Sequence, residues 1–225
     1  MSSPGRDGPD RPYGADGSAT TVQQALQAFW NARYATEEFV YGTAPNEFLI
    51  QVTPRLAPNS RVLCIADGEG RNSVWLAQQG HRVTALDVAA EGMAKAAQLA
   101  RAAAVELQTV VADVTKYDFG RSCWDAVVSI FLHLPATARR AVHGRCIEAL
   151  VPGGLFIYEA FGPEQLGRGT GGPPEPHLLH PLEEVLADFA GCGIEHRFNG
   201  VRHVSEGRLH RGDGAVVQVL ARKLQ

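Results

Sequence analysis

Short apolar runs alternate with segments of helical spacing between residues 61 and 160 of this chain. The apolar runs lack the polar–apolar alternation that marks a strand with one exposed face. Strands covered on both faces and joined by helices form a parallel sheet. We therefore expect strands at residues 61–66, 82–87, 105–111, 126–130 and 154–160, and helices at 71–79, 89–103 and 136–150.

The N-terminal part of the chain divides into two segments of different composition. Residues 1–19 are rich in Gly, Pro, Asp and Ser and offer little to bury, so we expect a disordered tail, with ordering over a ligand as the alternative. In residues 20–42, apolar side chains such as Leu26 and Trp30 recur every four residues, which predicts a helix. A second short helix is expected at residues 47–53.

The C-terminal part continues the same domain. A helix is expected from residue 182 to about residue 190. Two apolar runs, 194–204 and 214–222, are linked by residues 206–213 and predict a terminal antiparallel hairpin. The expected fold class is α/β, with residues 20–225 forming one domain.

Composition excludes several classes of partner. The net charge of -3 and the absence of clustered Lys and Arg argue against a nucleic-acid or acidic-membrane partner. No apolar run approaches the roughly 18 residues of a membrane-spanning helix, and no signal peptide is visible. The cysteines show no CxxC spacing, so neither a zinc site nor a disulfide framework is expected, and a cytoplasmic location fits. They are Cys64, Cys123, Cys146 and Cys192.

The stretch RVLCIADGEGRNSVWLA (61–77) joins a strand to a helix through the loop 67–70. Glycines in such a loop let a ligand approach the backbone, and the helix N-terminus offers free N–H groups to an anionic group. A dinucleotide fingerprint would place a third glycine where this chain has Ser73, which disfavours NAD and FAD. The alternative is a tight turn without a ligand.

Asp87 ends the next predicted strand, 19 residues after Gly68. An acidic residue about 20 residues beyond the glycine loop is typical of ribose binding, because a carboxylate accepts from both hydroxyls. The alternative is a helix N-cap for the segment that begins at Ala89.

Asp113 follows the third predicted strand. Its carboxylate is a candidate acceptor for an adenine amino group, with the Val114 N–H directed to a ring nitrogen. The alternative is an aspartate in a solvated loop.

The fourth and fifth strands end at the same predicted edge of the sheet, where ligands bind in open α/β folds. Ile130 and Phe131 lie at the end of the fourth strand, and His133 follows. His133 either faces a second substrate or caps the helix after Pro135. Glu159 lies at the end of the fifth strand.

In this order, the motifs resemble those of the class I S-adenosylmethionine (SAM)-dependent methyltransferases, over residues 28–223. The resemblance implies a Rossmann-like seven-stranded mixed sheet with the last strand antiparallel, helices on both faces, SAM as cofactor and S-adenosylhomocysteine (SAH) as product. Cys64 and Ala66 stand where Asp and Gly are common in that family, and Asp67 replaces a small residue. The expected cofactor-binding residues are Ala66, Asp67, Gly68, Glu69, Gly70, Asn72, Asp87, Val88, Asp113, Val114, Ile130 and Phe131.

Two stretches, GEGRNSVWLA (68–77) and EGRLHRGDGAVVQVLARK (206–223), resemble the tellurite-resistance (TehB-type) methyltransferases. Thiopurine-type methyltransferases are more distant relatives. The resemblance to TehB implies that His210 and Arg211 lie in the active site and handle an oxyanion substrate. Physically, Arg211 could hold an anionic acceptor through its fork of donors, and His210 could accept a proton near neutral pH. The alternative is a turn histidine beside a solvated arginine.

The N-terminal segment 20–46 is a candidate lid, since aromatic side chains that close over a site exclude water. Tyr34, Tyr41 and Gly42 are the lid candidates, whereas Trp30 is expected to pack on the sheet.

The glycine-rich segment 162–181 is a candidate acceptor-side flap because loops of this length are usually functional or disordered. The flap could present Gln165, Thr170 and His177 to the acceptor. His177 and His180 are three residues apart, but no carboxylate or cysteine joins them at useful spacing, so no metal site is expected.

Three functions are compatible with these patterns. The first is methyl transfer to a small soft or anionic nucleophile, a chalcogen oxyanion or a thiol. The second is methylation of an oxygen or nitrogen of a small metabolite or natural product, and the third is a SAM-binding sensor or scaffold without catalysis. A small-molecule acceptor is the expected partner, without nucleic acid or membrane, in a monomer or homodimer.

Overall fold

A seven-stranded mixed sheet forms the centre of the computed structural model, which describes residues 19–225. The strands are β1 (Arg61–Ile65), β2 (Arg82–Asp87), β3 (Gln108–Val111), β4 (Trp124–Ile130), β5 (Leu150–Phe161), β6 (Cys192–Glu206) and β7 (His210–Lys223). Their order across the sheet is β3-β2-β1-β4-β5-β7-β6. Strand β7 runs antiparallel to both of its neighbours, and β1 to β5 pair in parallel. The predicted Rossmann-like sheet with an antiparallel last strand is confirmed.

Helices cover both faces of this sheet, as predicted. They are α1 (Ala19–Tyr34), α2 (Glu47–Val52), α3 (Arg71–Gln78), α4 (Ala90–Ala102), α5 (Ala136–Ala149) and α6 (Leu182–Ala187). Helices α2, α3 and α4 pack on one face, α5 and α6 pack on the other, and α1 lies against α4. Single 3₁₀ turns occur at Thr53–Arg55, Pro163–Gln165 and Pro176–Leu178. Of the predicted tail, only Ala19 falls within the described residues, where it begins α1.

Strand β5 illustrates why the strands lack polar alternation. Leu155 and Ile157 face the core beneath α2 and α3, whereas Phe156 and Tyr158 face the core beneath α5 and α6. All four side chains are at most 2% exposed. Burying a large apolar side chain stabilises a fold by about 1.5–3 kcal/mol, so both faces of the strand select apolar residues.

Helix α1 ends at Tyr34 and does not continue to residue 42 as predicted. The Lys95 ammonium donates to the backbone carbonyl oxygens of Tyr34, Thr36 and Glu38, at 3.4, 2.9 and 2.6 Å. These carbonyls therefore find a partner on α4 instead of the N–H groups of a further helical turn.

Two other predicted boundaries were wrong for local reasons. Strand β3 begins at Gln108, not at residue 105, because Ala104 adopts a left-handed φ of 54° and the Val105 N–H bonds back to α4. The terminal hairpin is longer than predicted, with a turn of only three residues, 207–209, in place of the predicted link 206–213. His210 and Arg211 consequently lie in β7.

A buried ionic network joins the segment before α2 to the ends of three other elements. Glu206 accepts from Arg71 at 2.6 Å and from Arg202 at 2.8 Å. Arg202 also pairs with Glu159 at 2.5 Å, and the Asn46 amide donates to both carboxylates, at 2.7 and 2.9 Å. Each charge has an opposite partner, which offsets much of the cost of removing it from water.

The hairpin turn 207–209 also contacts the N-terminal segment directly. The Arg208 N–H donates to the Val40 carbonyl at 3.0 Å. A Cβ on Gly207 would lie 2.4 Å from the Tyr41 carbonyl carbon, so only glycine permits this approach. The first and last parts of the described chain therefore meet at one edge of the sheet.

Among the described residues, no helix combines the length and the apolar character needed to cross a bilayer.

Glu159→Ala should lower the free energy of unfolding by about 3 kcal/mol, because it leaves the buried Arg202 guanidinium with fewer partners. The matched control is Glu195→Ala, which removes the partly exposed partner of Arg55 and Arg222 and should cost less than about 1 kcal/mol. Urea denaturation of both variants measures the two changes. Equal losses would contradict a stabilising role of the buried network.

Candidate active site

The carboxyl ends of the parallel strands surround a cavity of about 420 Å³. This volume lies in the range of small-molecule sites. Helix α1 covers the cavity with Val22, Leu26 and Trp30, and the start of β7 closes the opposite side with His210. Trp30 therefore lines the cavity as well as packing on its neighbours.

Most of the side chains singled out from the sequence come together around this cavity. Those lining it are Tyr34, Tyr41, Gly42, Ala66, Asp67, Gly68, Glu69, Asn72, Asp87, Val88, Asp113, Val114, Ile130, Phe131, His133 and His210. Gly70, Gln165, Thr170, His177 and Arg211 are the predicted site residues that do not line it.

The glycine loop between β1 and α3 has a backbone that requires small residues. Ala66, Gly68 and Gly70 adopt left-handed φ values of 51°, 64° and 91°. A Cβ on Gly68 would lie 2.8 Å from the Tyr34 hydroxyl oxygen, and one on Gly70 would lie 2.6 Å from the Ala96 Cβ. Gly68 thus permits the close approach of the Tyr34 hydroxyl, whereas Gly70 permits close packing against α4.

Asp87 holds the glycine loop and the start of the next crossover together. Its carboxylate accepts from the Gly68 N–H and the Ala89 N–H, each at 2.9 Å. Burial raises the pKa of Asp87 to about 6, against the opposing effect of these backbone hydrogen bonds. The N-cap of α4 is Ala89 and has no side-chain cap, so the alternative that Asp87 serves as the N-cap was wrong, and the Asp87 carboxylate lines the cavity.

Asp67 is a second carboxylate on the same wall. It accepts from the Ser73 hydroxyl at 2.5 Å. Burial raises its pKa to about 6, although the Ser73 hydrogen bond acts in the opposite direction. Ser73, which stands in place of the third glycine of a dinucleotide fingerprint, therefore contacts Asp67, which departs from the methyltransferase motif.

Asp113 lies at the far end of the cavity, where the wall is apolar. One of its carboxylate oxygens accepts from the Thr115 N–H at 2.8 Å and from the Thr115 hydroxyl at 2.7 Å. Val114 is buried beside it, and Ala112 and Leu132 continue the apolar wall. A flat apolar slot with one carboxylate at its rim suits a purine base.

His210 lies on the opposite side of the cavity among aromatic rings. Its ring centroid is 4.6 Å from that of Tyr41, 4.7 Å from Phe131 and 5.2 Å from Phe161. A Cβ on Gly171 would lie 2.5 Å from the His210 ring, so the glycine at 171 leaves room for the imidazole. The result is a small subsite with aromatic walls, into which the His210 imidazole projects.

His133 belongs to the same side of the cavity. Its ring stacks on Phe161 at 6.0 Å, and its Nδ1 lies 3.2 Å from the Leu178 carbonyl oxygen. Helix α5 has Pro135 at its N-cap and no side-chain cap, so the alternative of a capping histidine was wrong.

Arg211 does not reach the cavity, in contrast to the sequence-based prediction. It follows His210 in β7 and is exposed. Successive side chains of a strand point to opposite faces, so a pocket-facing His210 directs its neighbour outward.

Gln165 and Thr170 stabilise the flap from within, in contrast to the predicted contact with the acceptor. The buried Gln165 amide donates to the Thr170 hydroxyl at 2.9 Å and accepts from the Ala215 N–H at 2.8 Å. Thr170 in turn donates to the Asp213 carbonyl at 3.1 Å. These bonds fasten the flap to β7, and Gly172 is the flap residue that lines the cavity.

The two histidines of the flap, His177 and His180, do not form a metal site. His177 is exposed, and the buried His180 has its Nε2 2.8 Å from the Leu134 carbonyl oxygen. Among the described residues, no group of three or more potential metal ligands occurs.

Sequence reasoning missed two cations that organise the site. Lys95 pairs with the buried Glu69 at 2.5 Å, and Glu69 also accepts from the Tyr41 N–H at 3.2 Å. Arg71 lines the cavity and pairs with Glu206. From the sequence, a lysine in the middle of a helix is expected to be solvent-exposed. Residues 34–38 cover Lys95 only in the folded chain, so no sequence signal identified it.

The residues around the cavity fit SAM. The uncapped N-terminus of α3 offers backbone N–H groups for a carboxylate, Asp87 offers acceptors for a diol, and the apolar slot by Val114 suits adenine. The acidic side chains at 67 and 87 also suit a ligand that carries positive charge.

Comparison with known proteins places this fold in a functional class. Residues 62–154 match the family model described as a methyltransferase domain. A search of curated proteins found no match.

Three solved structures share the fold. One, described as "Conversion of a Disulfide Bond into a Thioacetal Group during Echinomycin Biosynthesis", is 19% identical, with a TM-score of 0.72 over 88% of this chain and 92% of that one. TehB from Haemophilus influenzae is 17% identical, with a TM-score of 0.66 over 88% of this chain and 66% of that one. The N-methyltransferase NodS from Bradyrhizobium japonicum WM9, in complex with SAH, is 15% identical, with a TM-score of 0.67 over 88% of this chain and 98% of that one.

By this match residues 62–154 are a methyltransferase domain, and the fold is shared with solved structures of SAM-dependent methyltransferases. The cofactor that such a domain implies is SAM, and the NodS structure contains SAH. TehB is one of several structural neighbours of similar identity, so the nearer relation to the tellurite-resistance enzymes stays a prediction.

Asp67→Asn should stabilise the ligand-free protein at pH 8, because folding no longer buries this charge. A carboxyl group whose pKa is raised to about 6 destabilises the folded state above that pH. The penalty shrinks as the pH falls, since the folded protein takes up the proton before the unfolded chain does. The advantage of the variant in unfolding free energy should therefore narrow by about 1 kcal/mol between pH 8 and pH 5.

Urea denaturation of the two proteins across this pH range measures the narrowing. Asp118→Asn, which changes an exposed carboxylate, is the control and should show a constant difference. A constant or widening advantage of Asp67→Asn would contradict the buried-charge interpretation.

Proposed function

We propose that this enzyme transfers the methyl group of SAM to the sulfur of a small, largely apolar thiol. The observation that carries the proposal is the His210 imidazole, buried at the cavity wall among Tyr41, Phe131 and Phe161. A thiol is soft and apolar, and it carries one proton that must leave as the new bond forms.

The aromatic subsite favours a thiol over a chalcogen oxyanion. An oxyanion needs cationic donors, but Arg211 lies outside the cavity. Among the described residues that line it, the Lys and Arg side chains are Arg71, paired with Glu206, and Lys116, which contacts Gln23. Neither lies beside His210 in the aromatic group, so an anionic acceptor would lose its hydration there without gaining a partner.

Binding of the cofactor is assigned to the remaining polar residues of the wall. The Asp87 carboxylate would accept from the ribose hydroxyls, and Asp113 with the Val114 N–H would bind the adenine edge. The loop residues Gly68, Glu69 and Asn72 would line the methionine part, next to the N-terminus of α3.

The cavity requires a cover that opens, since helix α1 and Tyr41 close it from above. We assign residues 20–46 as this lid and residues 162–181 as a flap on the acceptor side. Closure excludes water, which strengthens polar interactions in the site and removes the hydration shell of the nucleophile.

When bound, SAM supplies a methyl group on a sulfonium, which is a good leaving group. The protein holds the acceptor in line with that group and keeps it dry. His210 takes the thiol proton, because a thiol with an ordinary pKa of about 8.5 is mostly protonated at neutral pH. Phe131, at the end of β4, and Tyr41, in the lid, flank the acceptor.

Methyl transfer to an oxygen or nitrogen of a small metabolite is the second candidate. It is favoured by the same base and aromatic walls, which also suit a phenol or a heterocycle, and NodS shares the fold as an N-methyltransferase. The two candidates differ in their need for the base. A phenol or an alcohol has a higher pKa than a thiol, so its methylation depends more strongly on a base that removes the proton. A SAM-binding protein without catalysis is the third candidate, and an assay that detects turnover of SAM to SAH would exclude it.

SAH release should be fastest with small aromatic or aliphatic thiols in a panel that includes phenols, amines, selenite and tellurite. A preference for tellurite or selenite would contradict the apolar subsite. A preference for phenols or amines would favour the second candidate.

His210→Asn should lower kcat by a factor of about 100–10,000 with the preferred acceptor, the range for loss of a general base. The neighbouring Arg211→Ala is the matched control and should leave kcat and the KM for the acceptor near their original values. Steady-state kinetics over a range of pH measures both. An inactive Arg211→Ala beside an active His210→Asn would overturn the assignment of the base.

A further inference from the structure

Asp67 is a pocket-lining carboxylate to which the proposed mechanism gives no role. At this position the chain departs from the methyltransferase motif: Cys64 stands where Asp is common, and an acid appears three residues later. Cys64 is buried, burial raises its pKa, and the charge of Asp67 raises it further. In this chain the acidic group therefore lies in the loop that borders the cavity.

The surroundings of Asp67 leave its charge without an opposite partner. The charged and titratable groups that face it are Asp87 from β2, Arg71 from α3 and Cys64 from β1. Arg71 is engaged by Glu206 at 2.6 Å. Within the part of the chain that the structure describes, Asp67 forms no ion pair, and its hydrogen-bond donors are the hydroxyl and the backbone N–H of the uncharged Ser73.

Asp67 and Asp87 differ in how their oxygens are used. Both oxygens of Asp87 accept backbone N–H groups, from Gly68 and Ala89. Asp67 accepts from a single residue, Ser73, through its hydroxyl at Oδ2 and through its backbone N–H, and its carboxylate lines the cavity. Asp87 is therefore built into the loop, whereas Asp67 presents an acceptor of negative charge to the cavity.

We propose that Asp67 makes the site prefer SAM over SAH by recognising the positive charge on the sulfur of SAM. The proposal rests on the cofactor placement under the proposed function. SAM and SAH share the adenosine, carboxylate and ammonium groups, and they differ by a methyl group and the sulfonium charge. A carboxylate directed at that charge adds affinity for the methyl donor alone.

This preference limits product inhibition. When the methyl group leaves, the sulfonium becomes a neutral thioether, and the countercharge at position 67 loses its partner. The buried carboxylate then favours departure of SAH, because a lone ionised group in a dry site is costly. The Asp67 side chain thus increases the affinity for SAM relative to that for SAH.

Isothermal titration calorimetry of SAM and of SAH, separately, on wild type and Asp67→Asn tests the proposal. At pH 7.5, Asp67→Asn should lower the ratio of SAM to SAH affinity about tenfold, as expected for loss of one charge-assisted contact. Affinity for SAH should stay the same or rise. Asp113→Asn is the matched control. It removes a carboxylate at the adenine end of the site, and because SAM and SAH share the adenine, their affinities should fall equally.

The pH dependence provides a second, mutation-free measurement. Protonation of Asp67 should lower the wild-type affinity ratio as the pH falls from 7.5 to 5.5, and Asp67→Asn should abolish this change. Asp87 titrates in the same pH range. Because the ribose that we assign to it is common to SAM and SAH, its protonation should change both affinities equally and leave their ratio unaltered. Ser73→Ala, which removes the hydrogen bond that lowers the Asp67 pKa, should move the transition to higher pH.

Equal loss of SAM and SAH affinity in Asp67→Asn, or an unchanged ratio, would overturn the role of Asp67 while leaving the cofactor site intact. A wild-type protein that binds neither ligand would instead overturn the cofactor site itself. A wild-type ratio that is flat between pH 7.5 and pH 5.5 would also contradict the proposal.

Discussion

The buried contacts of Glu159 and Glu206 with Arg71, Arg202 and Asn46 hold the edge of the sheet on which the cavity is built. They tie the segment before α2, the start of α3 and the ends of β5 and β6 to one another. A displaced partner would leave a charge in an apolar interior at a cost of several kcal/mol. The network therefore fixes the relative positions of the lid segment, the glycine loop and the terminal hairpin.

The two carboxylates on the cavity wall follow the opposite design. Asp67 and Asp87 form no ion pairs among the described residues, and burial raises the pKa of each to about 6. Such groups lower the stability of the ligand-free fold at neutral pH. Paired charges thus support the frame, and charges without an opposite partner remain where a cationic ligand binds, as expected where function and stability compete.

The sequence was sufficient for the sheet, the crossovers and most of the residues that line the cavity, because apolar runs and a glycine loop constrain the backbone locally. It was insufficient for Arg211, because the face of the sheet to which a strand residue points depends on where the preceding turn ends. A shift of one residue moves the side chain to the opposite face. Gln165 and Thr170 were misassigned because a polar side chain can fasten a loop as readily as it can bind a substrate. Lys95 escaped notice because its partners, Glu69 and the carbonyls after α1, meet it only in the folded chain.

The contact between the turn at 207–209 and the segment around Val40 couples the stability of the terminal hairpin to the closure of the cavity. When one structural element opens locally, the segments that depend on its contacts are released with it. Fraying of β6 and β7 at this turn would therefore loosen the segment around Val40 and let water reach the glycine loop and its acidic neighbours.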